Sequence, residues 1–118
     1  MDKEELQRRT KRFGLDVIAL IRNLPSDAAS AHIARQLVRS GTGVGANYRH
    51  ACRAKSKADF ISKMSTVEEE ADESLYWLQV LVDGRLVAQK AVDALLDEAE
   101  QLLRIVVASI NTARGGSR

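Results

Sequence analysis

The stretch IARQLVRSGTGVGANYRHA, residues 33–51, decides how this chain folds. Its glycines at 41, 43 and 45 argue against a helix, each costing up to about 1 kcal/mol relative to alanine. The apolar positions nevertheless keep one phase through them. Ile33, Leu37, Gly41, Val44, Tyr48 and Ala51 follow spacings of four, four, three, four and three. That is the period of a helix face, not the alternation of a strand. An unbroken helix is predicted from about Asp27 to Cys52, with the glycines admitting a neighbouring helix at close range.

The same reading extends in both directions. Upstream, Leu6, Phe13, Val17, Leu20 and Leu24 recur at helical spacing and place a helix over about Lys3–Asn23. Asn23, Pro25, Ser26 and Asp27 then punctuate the chain, with Ser26 or Asp27 as the cap of the next helix. Downstream, Ser56 opens a third helix, with Asp59 three residues later as a weak capping box. Its core stripe is Phe60, Met64, Val67, Ala71, Ser74 or Leu75, Leu78 and Val82, and Gly84 is the expected left-handed cap. A fourth helix over about Val87–Thr112 turns Val92, Leu95, Ala99, Leu102, Val106 and Ile110 or Ser109 inward, and a tail at about 113–118 should fray. Short connections between long helices imply an all-α, antiparallel up-down-up-down four-helix bundle in a single domain.

Composition agrees. The 118 residues include one Pro and five aromatic side chains, so the core must be built from Leu, Ile, Val and Ala. The net charge of +2 hides two opposed blocks: residues 31–67 carry seven basic and one acidic side chain, residues 68–100 two basic and ten acidic. Such blocks create local fields that select nucleic acid or another subunit as partner. The single cysteine, Cys52, excludes an internal disulfide, and one Cys with two His argues against structural zinc. The charged start Met1–Glu5 has no signal-peptide core, and apolar runs reach only five residues, so no membrane is expected and a reduced cytoplasm is.

Two surfaces remain once the core is assigned. At about 100° per residue, Arg35, Arg39, Arg49 and Arg53 fall on one side of the second helix, opposite its apolar stripe and spread over roughly 27 Å. Lys55 and Lys57 follow directly. A solvated basic face, phosphate contact and pairing with an acidic surface all fit this pattern. On the third helix, Glu69, Glu73, Tyr76 and Val80 lie away from the core, and Trp77 beside Tyr76 cannot share its direction. An exposed aromatic patch framed by glutamates suits a subunit interface, or a lone surface tyrosine.

Catalytic patterns are missing. The segment Gly41–Asn47 lacks the Gly-Lys-Ser/Thr ending and preceding strand of a phosphate loop. Glu69, Glu70 and Glu73 lack the Glu-x-x-His partners of a carboxylate-bridged metal pair. His50, two residues from Cys52, points to a different face and is no base for it. No enzyme activity, metal or cofactor is expected.

Taken together, Gln36–Arg49, Arg53–Ile61 and Val67–Leu78 resemble the central motifs of the four-helix-bundle family found in ribosomal RNA intervening sequences, and the likeness extends over about residues 13–112. The resemblance implies a homopentamer. It also implies kinship with the accessory variability determinant of diversity-generating retroelements, a basic protein that binds nucleic acid and a reverse transcriptase. By resemblance, Arg39 and Asn47 are the motif's polar positions, and Arg49 and Arg53 its following basic residues. The chain departs at His50, where many members carry Glu, which makes the arginine face more positive.

Two functions follow as expectations. In one, a homo-oligomer binds RNA or DNA backbone through Arg35, Arg39, Arg49, Arg53, Lys55 and Lys57, with Asn47, Glu69, Glu73, Tyr76, Trp77 and Val80 at the subunit interface. In the other, the basic face is used in assembly, pairing with a neighbour's Glu69, Glu70 and Glu73, and the partner is a protein such as a reverse transcriptase.

Overall fold

A computed structural model describes residues 1–115. They form four helices: α1 (Lys3–Ile21), α2 (Ala28–Ala51), α3 (Lys57–Asp83) and α4 (Gln89–Ala113). Each helix packs on the next, and α4 returns to α1, so the four stand at the corners of a square about 45 Å long. Residue pairs across the α1–α2 and α2–α3 seams run in opposite chain directions: Gly45 meets Thr10 while Gly41 meets Val17, and Gly43 meets Glu70 while Ser40 meets Ser74. The diagonal helices α1 and α3 therefore run parallel.

The sequence explains where the helices begin. Asp2 accepts from Glu5 N–H at 2.8 Å, Asp27 from Ser30 N–H at 3.0 Å and Ser56 from Asp59 N–H at 3.0 Å. Each satisfies one of the free donors of a first helical turn. α4 has no side-chain cap, because Ala88 stands at that position.

α2 runs through its glycines without a break. A methyl group on Gly41 would lie 2.9 Å from Val17 Cγ2, and one on Gly45 3.3 Å from the α1 backbone at Thr10 and Lys11. Gly14 of α1 faces the Gly41 carbonyl in return. The glycines thus draw α1 and α2 together, and the lost helix propensity is offset by backbone-close packing.

The core is mostly aliphatic, as its composition requires, with Phe13 and Tyr48 its buried aromatics. Leu37, Val44, Met64, Val67, Leu78, Val92, Ala99, Leu102 and Val106 are fully buried. Buried hydroxyls are bonded: Ser74 donates to Ser40 Oγ at 3.0 Å or to the Glu70 carbonyl at 2.8 Å, and Thr10 to the Leu6 carbonyl at 2.9 Å.

Several expectations are corrected. Leu20, Leu24 and Phe60 are half-buried at the ends of the square, where fewer neighbours surround them. Leu81, not Val82, closes the α3 stripe. Gly84 stays right-handed at φ −80°, and the left-handed residue is Arg85 at φ 60°. This places the Leu86 and Val87 N–H groups on the Leu81 carbonyl. α1 stops at Ile21 rather than Asn23, and α4 starts at Gln89 rather than Val87. The fraying expected from about 113 is met at Ala113 by helix and at Arg114–Gly115 by a turn, and its remainder lies outside the described residues.

Candidate functional site

α2 contains no acidic residue along its 24 positions. Its cations do not share one environment. Arg39 reaches over the α2–α3 seam and pairs with Glu73 and, at 3.5 Å, with Glu70. The Trp77 indole N–H donates to the same Glu73 carboxylate at 3.1 Å. Burial pushes the Glu73 carboxyl up, but the hydrogen bonds from Arg39 and Trp77 outweigh it and hold it below the usual range. Burial dominates at Glu70, whose side chain lies against Gly43, and its carboxyl is raised despite the Arg39 charge.

Arg39 is thus an exposed seam residue, engaged with two carboxylates of its own chain. The four arginines are exposed, as the helix wheel predicts, but the wheel does not show which neighbour a long side chain can reach. Arg35, Arg49, Arg53, Lys55 and Lys57 remain exposed, and among the described residues no carboxylate forms a salt bridge with any of them.

Arg49 and Arg53 stand on one wall of a groove of about 610 Å³ between α1 and α2. Arg8 and Lys11 stand on the other, and Gly14, Leu15, Ile18 and Ala46 supply apolar lining. Arg8 and Lys11 went unread in the sequence. Their signal was the glycine pair Gly14 and Gly45, which brings the basic side of α1 beside the basic end of α2.

The interface candidates also divide. Glu69 and Tyr76 are exposed, Tyr76 by 56%. Val80 and Trp77 are half-buried against the core cluster, Glu73 is bonded within the chain, and Asn47 Nδ2 donates to the Gly43 carbonyl at 2.8 Å. The expectation that Val80 and Glu73 point away from the body of the protein is therefore corrected. Trp77 stands edge-on to His32 of α2 at 5.8 Å and to Tyr76 at 5.0 Å, so the aromatic cluster ties the seam through a half-buried Trp77 and leaves His32 and Tyr76 exposed.

Cys52 is half-buried, and burial pushes the Tyr48 hydroxyl far up. Among the described residues, no three His, Cys, Asp or Glu side chains gather into a metal-holding group. No helix is long and apolar enough to cross a membrane.

No curated protein matches the chain. A crystal structure of a protein with unknown function from the S23 ribosomal protein family of Bacteroides thetaiotaomicron superposes with a TM-score of 0.86 at 26% identity. The match covers 94% of this chain and 99% of that one. Residues 3–108 match the family of 23S rRNA-intervening sequence proteins, and the chain belongs to that family.

Proposed function

We propose that the protein is a non-enzymatic, cytoplasmic homo-oligomer that holds the phosphate backbone of RNA or DNA along the outer line of α2. The reading rests on Arg35, Arg49, Arg53, Lys55 and Lys57, exposed cations on and beyond a helix without a single carboxylate. From Arg35 to Arg53 the line spans roughly 27 Å. That equals about eight base-pair steps of duplex, so successive phosphates fall within its reach. Phosphate contacts carry no base information, so binding is salt-dependent and nearly indifferent to sequence. A five-fold assembly, the size implied by the family resemblance, sets several such rows on one particle, and weak contacts then add through effective concentration.

The test is binding of labelled duplex DNA and structured RNA at two salt concentrations, with light scattering on the same sample. Steeply salt-dependent binding by a particle of several chains supports the reading. A stable oligomer that binds neither ligand at low salt overturns it.

A further inference from the structure

Two exposed stripes carry the same spacing and opposite charge. α1 and its C-terminal cap present Arg8, Lys11, Leu15, the half-buried Ile18 and Arg22; α3 presents Glu69, Asp72, Tyr76, Gln79 and Asp83. Both follow steps of three, four, three and four, the a/d pattern of a heptad seam, over about 21 Å. Position by position, Arg8 answers Glu69, Lys11 answers Asp72 and Arg22 answers Asp83. Leu15, 48% exposed, answers Tyr76, 56% exposed. Apart from Met1, these two are the large apolar side chains left exposed among the described residues. Within those residues, none of the six charged groups forms a salt bridge inside the chain.

The stripes cannot meet within one chain. α1 and α3 stand at diagonal corners of the square and pack only on α2 and α4. They run parallel, however. A second copy turned about an axis along the bundle presents its α3 parallel to the first copy's α1. Parallel seams match a with a and d with d, which is the register read above. A two-fold axis perpendicular to the bundle would reverse α3 and break that register.

We propose that the α1 stripe of one protomer seats the α3 stripe of a second copy in parallel register, with Leu15 against Tyr76 and the charge pairs on either side. This rests on the reading that the chain self-associates, and adds which surfaces do so. The contact is heterologous, so it closes into a ring where the rotation permits. It seats α3 on the α1 side of the groove that Arg49 and Arg53 also line, and assigns Glu69, Asp72 and Asp83 of α3 to the subunit interface.

The test is light scattering, without nucleic acid, of the full chain and three variants. Arg8→Glu/Lys11→Glu and Glu69→Lys/Asp72→Lys should each drop the particle to the mass of one chain, with helical circular dichroism unchanged because all four positions are exposed. The quadruple variant carrying both changes should reassemble, its charges being swapped rather than lost. Assembly of the wild-type chain should weaken at high salt, since exposed pairs are screened. Double variants that stay assembled, or a quadruple variant that stays single, would overturn the proposed register while leaving self-association standing. A wild-type chain that is single at every concentration would overturn both.

Discussion

Arg39 and Glu73 are bonded to each other across the α2–α3 seam, and Trp77 holds the same carboxylate from the side. An arginine engaged in this way must give up its carboxylates before it meets a phosphate. Among the described residues, Arg49 and Arg53 have no such partner. Arg39→Ala should therefore leave nucleic-acid affinity within about two-fold. Arg49→Ala and Arg53→Ala should each weaken binding across all sequences and lower the salt slope by about 1. Fluorescence anisotropy over a salt series measures both effects. Equal losses at Arg39 and Arg53 would mean that the seam opens to the ligand.

Gly41 and Gly43 sit two residues apart and should respond differently to alanine. At Gly41 a methyl group meets the branched, fully buried Val17 side chain at 2.9 to 3.2 Å. Gly41→Ala should cost about 1–3 kcal/mol by overpacking. At Gly43 the obstacle is the flexible Glu70 side chain, which can swing outward. Helix propensity then returns up to about 1 kcal/mol, so Gly43→Ala should be near neutral. Urea denaturation separates the two cases, and equal costs would contradict the close approach of α1 to Gly41.

The contrast between these glycines also marks how far the sequence can be read. The phase of Ile33, Leu37, Val44 and Tyr48 is a local signal, so α2 was legible through three helix-weakening residues. The partner that each glycine admits was not, because Val17 and Glu70 are brought there by tertiary packing. The same boundary explains Arg39: a helix wheel gives its direction, while its reach to Glu73 depends on where α3 lies. Arg8 and Lys11 stayed hidden for that reason too, since a groove wall belongs to two helices and neither shows it alone. Leu81 displaced Val82 because adjacent apolar residues at a helix end leave the phase undecided.

Asp27 couples the start of α2 to pH. Its carboxylate accepts the Ser30 N–H and the Ser30 hydroxyl, and these bonds hold its pKa below the usual range. At Asp59 the lowering comes first from Lys63 and then from the Lys55 N–H. A depressed folded-state pKa gives stability that is present above the unfolded pKa of about 3.9 and lost as pH falls through the folded value. Glu70, with a raised pKa, acts in the opposite sense, its contribution falling as pH rises. Melting curves should therefore decline in acid for the wild-type chain and decline less for Asp27→Asn, which keeps a capping oxygen without the titrating proton. Identical acid slopes in the two proteins would remove Asp27 as a contributor.

Arg9 binds α1 to α4 on the most thinly packed side of the square. Its Nε and one terminal nitrogen meet the two Glu98 oxygens at 2.6 and 2.8 Å, and that nitrogen also reaches Gln101 at 2.7 Å. The fork geometry is what a guanidinium offers and an ammonium does not. Both side chains keep about a quarter of their surface exposed, so solvent screens the pair. Arg9→Ala should cost about 1 kcal/mol, the upper end for an exposed ion pair. Arg9→Lys should recover only part of that, because it restores the charge without the two-pronged contact. A double-mutant cycle with Glu98→Ala isolates the coupling, which should shrink as salt is added. Full recovery by lysine would show that charge alone joins α1 to α4, and that the orientation of the fork is incidental.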